Sequence, residues 1–159
     1  MQTERINKWL TLFANFGVLV GIIFLAVEVQ QSNRIAIATT EISIRDQFSS
    51  INEQILTNDA VAELLVKAAD ADTKLSAVET EKLYAYLYVY MNTWVGIEIA
   101  YENGMLPRST FDEALDDVRI VLQDYPALHS LAREYISDYP SHADSDVIGV
   151  MREVLEDIE

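Results

Sequence analysis

Trp9–Val27 reads WLTLFANFGVLVGIIFLAV, nineteen residues with no charge and with polar side chains only at Thr11 and Asn15. At a helical rise of about 1.5 Å per residue the stretch is close to 30 Å long, which matches the hydrocarbon core of a bilayer. It predicts one membrane-spanning helix, with the lipid bilayer as its first partner. The chain divides around it. Residues 1–8 are a short N-terminal flank, 9–27 the transmembrane helix, 28–57 a juxtamembrane helix continuous with the anchor, and 58–159 an acidic helical domain.

Arg5 and Lys8 in front of the run would also suit a secretory leader. The run is longer than a leader's apolar segment, and Phe24, Ala26, Val27 and Glu28 at its end make no small-x-small cleavage site. Ala36-Ile37-Ala38 lies too far downstream, so a retained single-pass anchor is expected. A second long run, Leu83–Tyr101, has a mean hydropathy of about 0.8 against about 2.3 for the first, and it contains Asn92, Thr93 and Glu98. It reads as the central helix of the domain. Arg5 and Lys8 lie close to one end of the anchor, whereas Arg34 and Arg45 are spread beyond the other. This bias puts the N-terminus in the cytoplasm and the C-terminal domain on the extracytoplasmic side of the cell membrane.

Charge is segregated in the same way. Of 26 acidic and 11 basic residues, the first 34 positions hold Glu4 and Glu28 with Arg5, Lys8 and Arg34, leaving 24 against 8 in the rest. A domain so acidic is repelled by phosphate backbones and anionic headgroups, so nucleic acid is not an expected partner. Solvation, as in a salty habitat, is the expected reason for the charge, with a basic partner or bound cations as the alternative. The absence of cysteine excludes disulfides, a thiol nucleophile and Cys-based zinc sites.

Beyond the membrane an apolar stripe resumes at Ile35, Ile42, Ile44, Phe48, Ile51 and Ile55, at helical spacings, until Thr57-Asn58-Asp59 breaks it. Asn58 is a good N-cap for a second helix through Ala69. Ser76-x-x-Glu79 is a capping box opening a third helix that ends at Asn103-Gly104, before Pro107. Thr110-x-x-Glu113 reads as a second capping box for a fourth helix to Gln123. Pro126 suits the first residue of a fifth helix to Ser137, and the sixth runs from Ser145 to the end. No alternating strand pattern is visible. The expected fold is all-α, with the N-terminal transmembrane helix continuing into a soluble bundle of about five further helices.

The third helix carries Tyr84, Tyr86, Tyr88, Tyr90, Trp94 and Tyr101 among aliphatic residues, which predicts burial on several sides. The competing reading is an aromatic-lined pocket for a small apolar ligand, a quinone or a pigment, formed by Tyr86, Tyr90, Trp94 and Glu98. Glu98 is otherwise expected to pair with an arginine or a helix end.

Local motifs for chemistry are missing. His129 and His142 lack the Glu-x-x-His arrangement of di-iron bundles. Asp70-x-Asp72 followed by Glu81 imitates a calcium loop, but Lys74 and Leu75 stand where a ligand and a glycine belong. Asp112, Glu113, Asp116 and Asp117 near a helix N-terminus read as a solvated face, and Asp144-Ser145-Asp146 reads as a cap. There is no nucleophile elbow and no phosphate-binding glycine loop. No enzymatic activity, metal or cofactor is expected.

The sharpest signal lies in the anchor. Gly17-x-x-x-Gly21 places two glycines on one helix face, where another membrane helix can approach closely. Ala14 and Phe24 extend this face, and alternating spacings of three and four carry it through Glu28, Gln31, Ile35, Ala38 and Ile42. Asn15 adds a group for an interhelical hydrogen bond. The seam predicts a homo-oligomer or packing against another integral membrane subunit.

The stretch Ala-Asn-Phe-Gly-Val-Leu-Val-Gly-Ile-Ile-Phe-Leu-Ala-Val-Glu-Val-Gln-Gln-Ser-Asn resembles the start of a group of uncharacterised bacterial single-pass membrane proteins with a short N-terminal anchor and a helical domain. The resemblance implies this architecture for most of the chain. It implies no activity and no catalytic residue. The function expected is that of a non-enzymatic, membrane-anchored interaction protein, an accessory or scaffolding subunit of a membrane complex or a homo-oligomer. The alternative is a ligand-binding or sensing bundle built around the aromatic helix.

Overall fold

The computed structural model describes residues 2–157. Among them the secondary structure is wholly helical: α1 (Gln2–Thr57), α2 (Asp59–Ala68), α3 (Ala77–Glu102), α4 (Arg108–Asp124), α5 (Leu128–Asp138) and α6 (Asp146–Asp157), with a 3-10 turn at Pro140–His142. The expectation that the last helix reaches the end of the chain falls, at Ile158 and Glu159, outside the described residues. The chain forms two compact units, 1–39 and 40–159.

The first unit is helix alone. Every residue from Trp9 to Val27 is exposed, and one 18-residue window reaches a mean hydropathy of 2.4, so the helix is long and apolar enough to cross a membrane. Thr11 satisfies its hydroxyl within the helix by donating to the Asn7 carbonyl at 2.9 Å.

The second unit is a helical bundle around α3. Residues 40–57 of α1 belong to it, because Ile51 is buried and Ile44, Phe48 and Ile55 pack partly against the core. Helix α3 contributes Leu83, Leu87, Met91, Trp94 and Ile97, and α4, α5 and α6 meet it with Phe111, Val118, Leu128, Ile148 and Met151. Burying such side chains, at roughly 1.5–3 kcal/mol each, is the main force holding the bundle. Helix α3 is buried on several sides, as its aromatic sequence suggests, though not all round. Ala85, Val89, Asn92, Gly96 and Ile99, at spacings of three and four, form an exposed stripe.

Several boundaries fall where local chemistry predicts. Asn58 caps α2, its side-chain oxygen accepting from Ala60 N–H at 3.1 Å. The Ser76–Glu79 capping box is complete in both directions. At the other end of α3, Gly104 adopts φ 70°, and the Met105 and Gly104 N–H groups donate to the Ala100 and Tyr101 carbonyls. This is the reciprocal pattern that favours glycine after a helix.

Two boundaries differ. Thr110 is not a cap: α4 begins at Arg108, and the Pro107 carbonyl already accepts from Thr110 and Phe111 N–H. The Arg108 guanidinium lies 5.6 Å from the Tyr101 ring centre and 5.5 Å from that of Phe111, and it pairs with Asp112 at 2.8 Å, which draws the first turn forward. Pro126 precedes α5 instead of opening it. It lies in a turn in which Ala127 N–H donates across the bundle to the Ala68 carbonyl at 3.1 Å, closing the end of α2.

Candidate functional site

Two surfaces qualify, one in each unit, and they are described separately. In the first unit Ala14, Gly17, Gly21, Phe24, Glu28, Gln31, Ile35 and Ala38 are all exposed, and Phe24 shows 68% of its surface. A Cβ built at Gly17 or Gly21 meets no atom within 4 Å, so nothing in the chain's own packing requires glycine there. Ile42, which continues the series, belongs to the second unit and is 60% exposed. It stays outside the stripe of Ile44, Phe48, Ile51 and Ile55 that turns to the core.

In the second unit, residues 41–52 of α1 line a groove of about 480 Å³ together with residues of α3 and α4. Ile44, Phe48, Ile97 and Ala114 form its apolar floor, and Glu41, Arg45, Glu113 and Asp117 line it with charge. Asp117 is the informative member. It is partly buried, and its Oδ2 accepts from the Nε1–H of the fully buried Trp94 at 2.8 Å. Burial pushes its carboxyl above the usual carboxylate range, and the Trp94 hydrogen bond opposes that only in part. Among the described residues no cation pairs with it. Two other acids of this helix differ: Asp112 pairs with Arg108, and Asp116 pairs with Arg119 at 3.1 Å. The solvated-face reading therefore fails for Asp117. The sequence carries a signal for this, since Asp117 stands three residues after buried Ala114 and four before buried Val121, on the inward stripe of α4.

None of the grooves found among the described residues is lined by all four residues of the expected aromatic pocket. Trp94 has 0% of its surface exposed, with its ring centre 5.0 Å from that of Tyr90. The Tyr86 hydroxyl donates to that of Tyr90 at 3.3 Å, and burial raises the pKa of both. Tyr86 alone lines a second groove, of about 300 Å³, beside Ile51, Leu64, Leu65 and Val89. Glu98, 6% exposed, pairs with a helix end: its carboxyl oxygens accept from the Ser145 hydroxyl at 2.5 Å and the Asp146 N–H at 2.6 Å.

Asp70 folds its own loop, accepting from Asp72 N–H at 3.0 Å and the Thr73 hydroxyl at 2.7 Å, and both bonds hold its carboxyl below the usual range. Among the described residues no three His, Asp or Glu side chains converge as metal ligands. Comparison with protein-family models, curated proteins and solved structures finds no match.

Proposed function

We propose that the protein is a single-pass membrane protein of non-enzymatic, interaction type, an accessory or scaffolding subunit that associates through its anchor with a second copy or with another integral membrane subunit. The observation that carries this reading is the uninterrupted exposure of Trp9–Val27. At roughly 25 cal/mol for each Å² of apolar surface, leaving a whole helix of such side chains in water is very unfavourable, and a bilayer or a partner helix relieves it. The open backbone at Gly17 and Gly21 supports association in addition to attachment, because close approach is what glycine offers a neighbouring membrane helix. Arg5 and Lys8 favour an N-terminus in the cytoplasm, with the acidic bundle on the opposite side of the cell membrane.

The test is alkaline carbonate extraction of membranes containing the full chain, followed by protease treatment of sealed vesicles of known sidedness. Retention in the pellet with the bundle accessible from the extracytoplasmic side is the expected result. Release into the supernatant overturns the anchor, and protection of the bundle on the cytoplasmic side overturns the orientation.

A further inference from the structure

We propose that the groove between residues 41–52 of α1 and helices α3 and α4 binds a small amphipathic organic cation, an ammonium or guanidinium group on a compact apolar body, with Asp117 as its counter-ion. The groove lies wholly within the second unit, so the inference stands independently of the membrane anchor.

Size selects the class of occupant first. About 480 Å³ falls within the roughly 300–1,000 Å³ typical of small-molecule sites. The floor of Ile44, Phe48, Ile97 and Ala114 offers a hydrocarbon or aromatic body a surface on which to displace water.

Charge then selects the sign. Asp117 is held in place, because swinging it out would strand the buried Trp94 indole N–H without an acceptor. It is thus a partly desolvated carboxyl, fixed beside an apolar floor and, among the described residues, in no ion pair. A carboxylate in such a position is stabilised most by an opposite charge brought in with the ligand, where the effective dielectric is below that of water. Glu41 and Glu113 add negative potential, and Arg45 is the one basic residue lining the groove. Three acids against one base repel an anionic ligand, and a neutral one leaves Asp117 uncompensated.

The probe is benzylammonium, compared with benzyl alcohol and benzoate, which share its ring and differ in charge. The full chain in detergent micelles is used in a Trp9→Phe background, so that fluorescence reports Trp94 alone of the chain's two tryptophans. Saturable binding of benzylammonium is expected, at least about tenfold tighter than either comparator. Asp117→Asn keeps an oxygen acceptor for Trp94 but removes the charge, and should weaken binding by about tenfold or more. Ser49→Phe fills the groove from an exposed position of α1 and should abolish binding, so a decisive variant remains if Asp117→Asn folds poorly. Equal affinity for benzylammonium and benzyl alcohol, unchanged affinity in Ser49→Phe, or no saturable binding would each overturn the proposal.

Discussion

Glu98, deep in α3, reaches Ser145 at the start of α6: one carboxyl oxygen accepts from the Ser145 hydroxyl and the other from the Asp146 N–H. Ser145 in turn accepts from Ile148 N–H at 3.3 Å. A side chain 47 positions earlier thus completes the cap of α6, supplying an acceptor for backbone donors that have none inside the helix. Glu98→Ala should lower the stability of the bundle by roughly 1–3 kcal/mol in denaturant unfolding of the full chain followed by circular dichroism. Glu98→Gln should cost less, since its amide oxygen still accepts from Asp146. In a double-mutant cycle Ser145→Ala should cost less on the Glu98→Ala background than alone, and strict additivity would show that the two residues act separately.

Asp117 and Trp94 predict a pH dependence of definite sign. Burial raises the Asp117 carboxyl above its ordinary value of 3.8, so the folded state holds this proton more tightly than the unfolded chain does. Its contribution to stability is fully present below pH 3.8 and is lost as the pH rises through the folded-state value. Asp117→Asn should therefore gain stability relative to the parent chain as the pH rises from about 4 to 7. Asp117→Leu should instead lose roughly 1–3 kcal/mol near pH 4, because the Trp94 N–H is left buried without an acceptor, and this deficit should shrink as the pH rises. Melting curves of the three proteins at several pH values separate these outcomes.

The Ser76–Glu79 capping box responds to pH in the opposite direction. Lys67, paired with Glu79 at 2.5 Å, and the Ser76 N–H and hydroxyl together hold the Glu79 carboxyl down at about 2, below its ordinary 4.5. The stability tied to this group is present above pH 4.5 and lost as the pH falls toward 2. Because the pair is solvent-exposed and screened, added salt should diminish this acid sensitivity. Ser76→Ala should cost about 1 kcal/mol at neutral pH. Glu79→Gln should flatten the stability profile between pH 4.5 and 2, and a profile unchanged by that substitution would assign acid sensitivity to other carboxyls.

The features legible in the sequence are those whose cause is local. Ser76 with Glu79, Asn58 and Gly104 each mark a helix end through groups a few residues apart, and the helix-end role of Glu98 follows from a lone carboxyl on an apolar helix. Thr110 and Pro126 mislead because distant contacts displace their boundaries: the Tyr101 ring beneath Arg108 in one case, the Ala68 carbonyl in the other. Asp117 is half legible, since helical spacing puts it on the inward stripe but its partner stands 23 residues away. The groove it lines was not legible at all. Ile44 and Phe48 of one helix and Ile97 and Ala114 of two others line it together, and nothing in the sequence of any one helix specifies that meeting.

Gly17 and Gly21 raise the question of what the proposed anchor packs against. Neither glycine is required by a turn or a close contact within the chain, and a membrane helix gains no hydrophobic driving force from meeting another helix instead of lipid. Association there depends on close packing, to which a glycine pair contributes by letting backbones approach. Gly17→Ile with Gly21→Ile preserves the length and apolar character of the helix, so membrane insertion should be retained while close approach is blocked. Energy transfer between labelled copies in lipid vesicles should then fall to the level of random proximity, with the circular dichroism spectrum unchanged. Gly17→Ala with Gly21→Ala should give an intermediate loss, because a methyl group still permits near contact. Association unaffected by both pairs would show that copies do not meet on this face. Loss of a co-purifying membrane subunit from the isoleucine variant would then assign the face to that subunit.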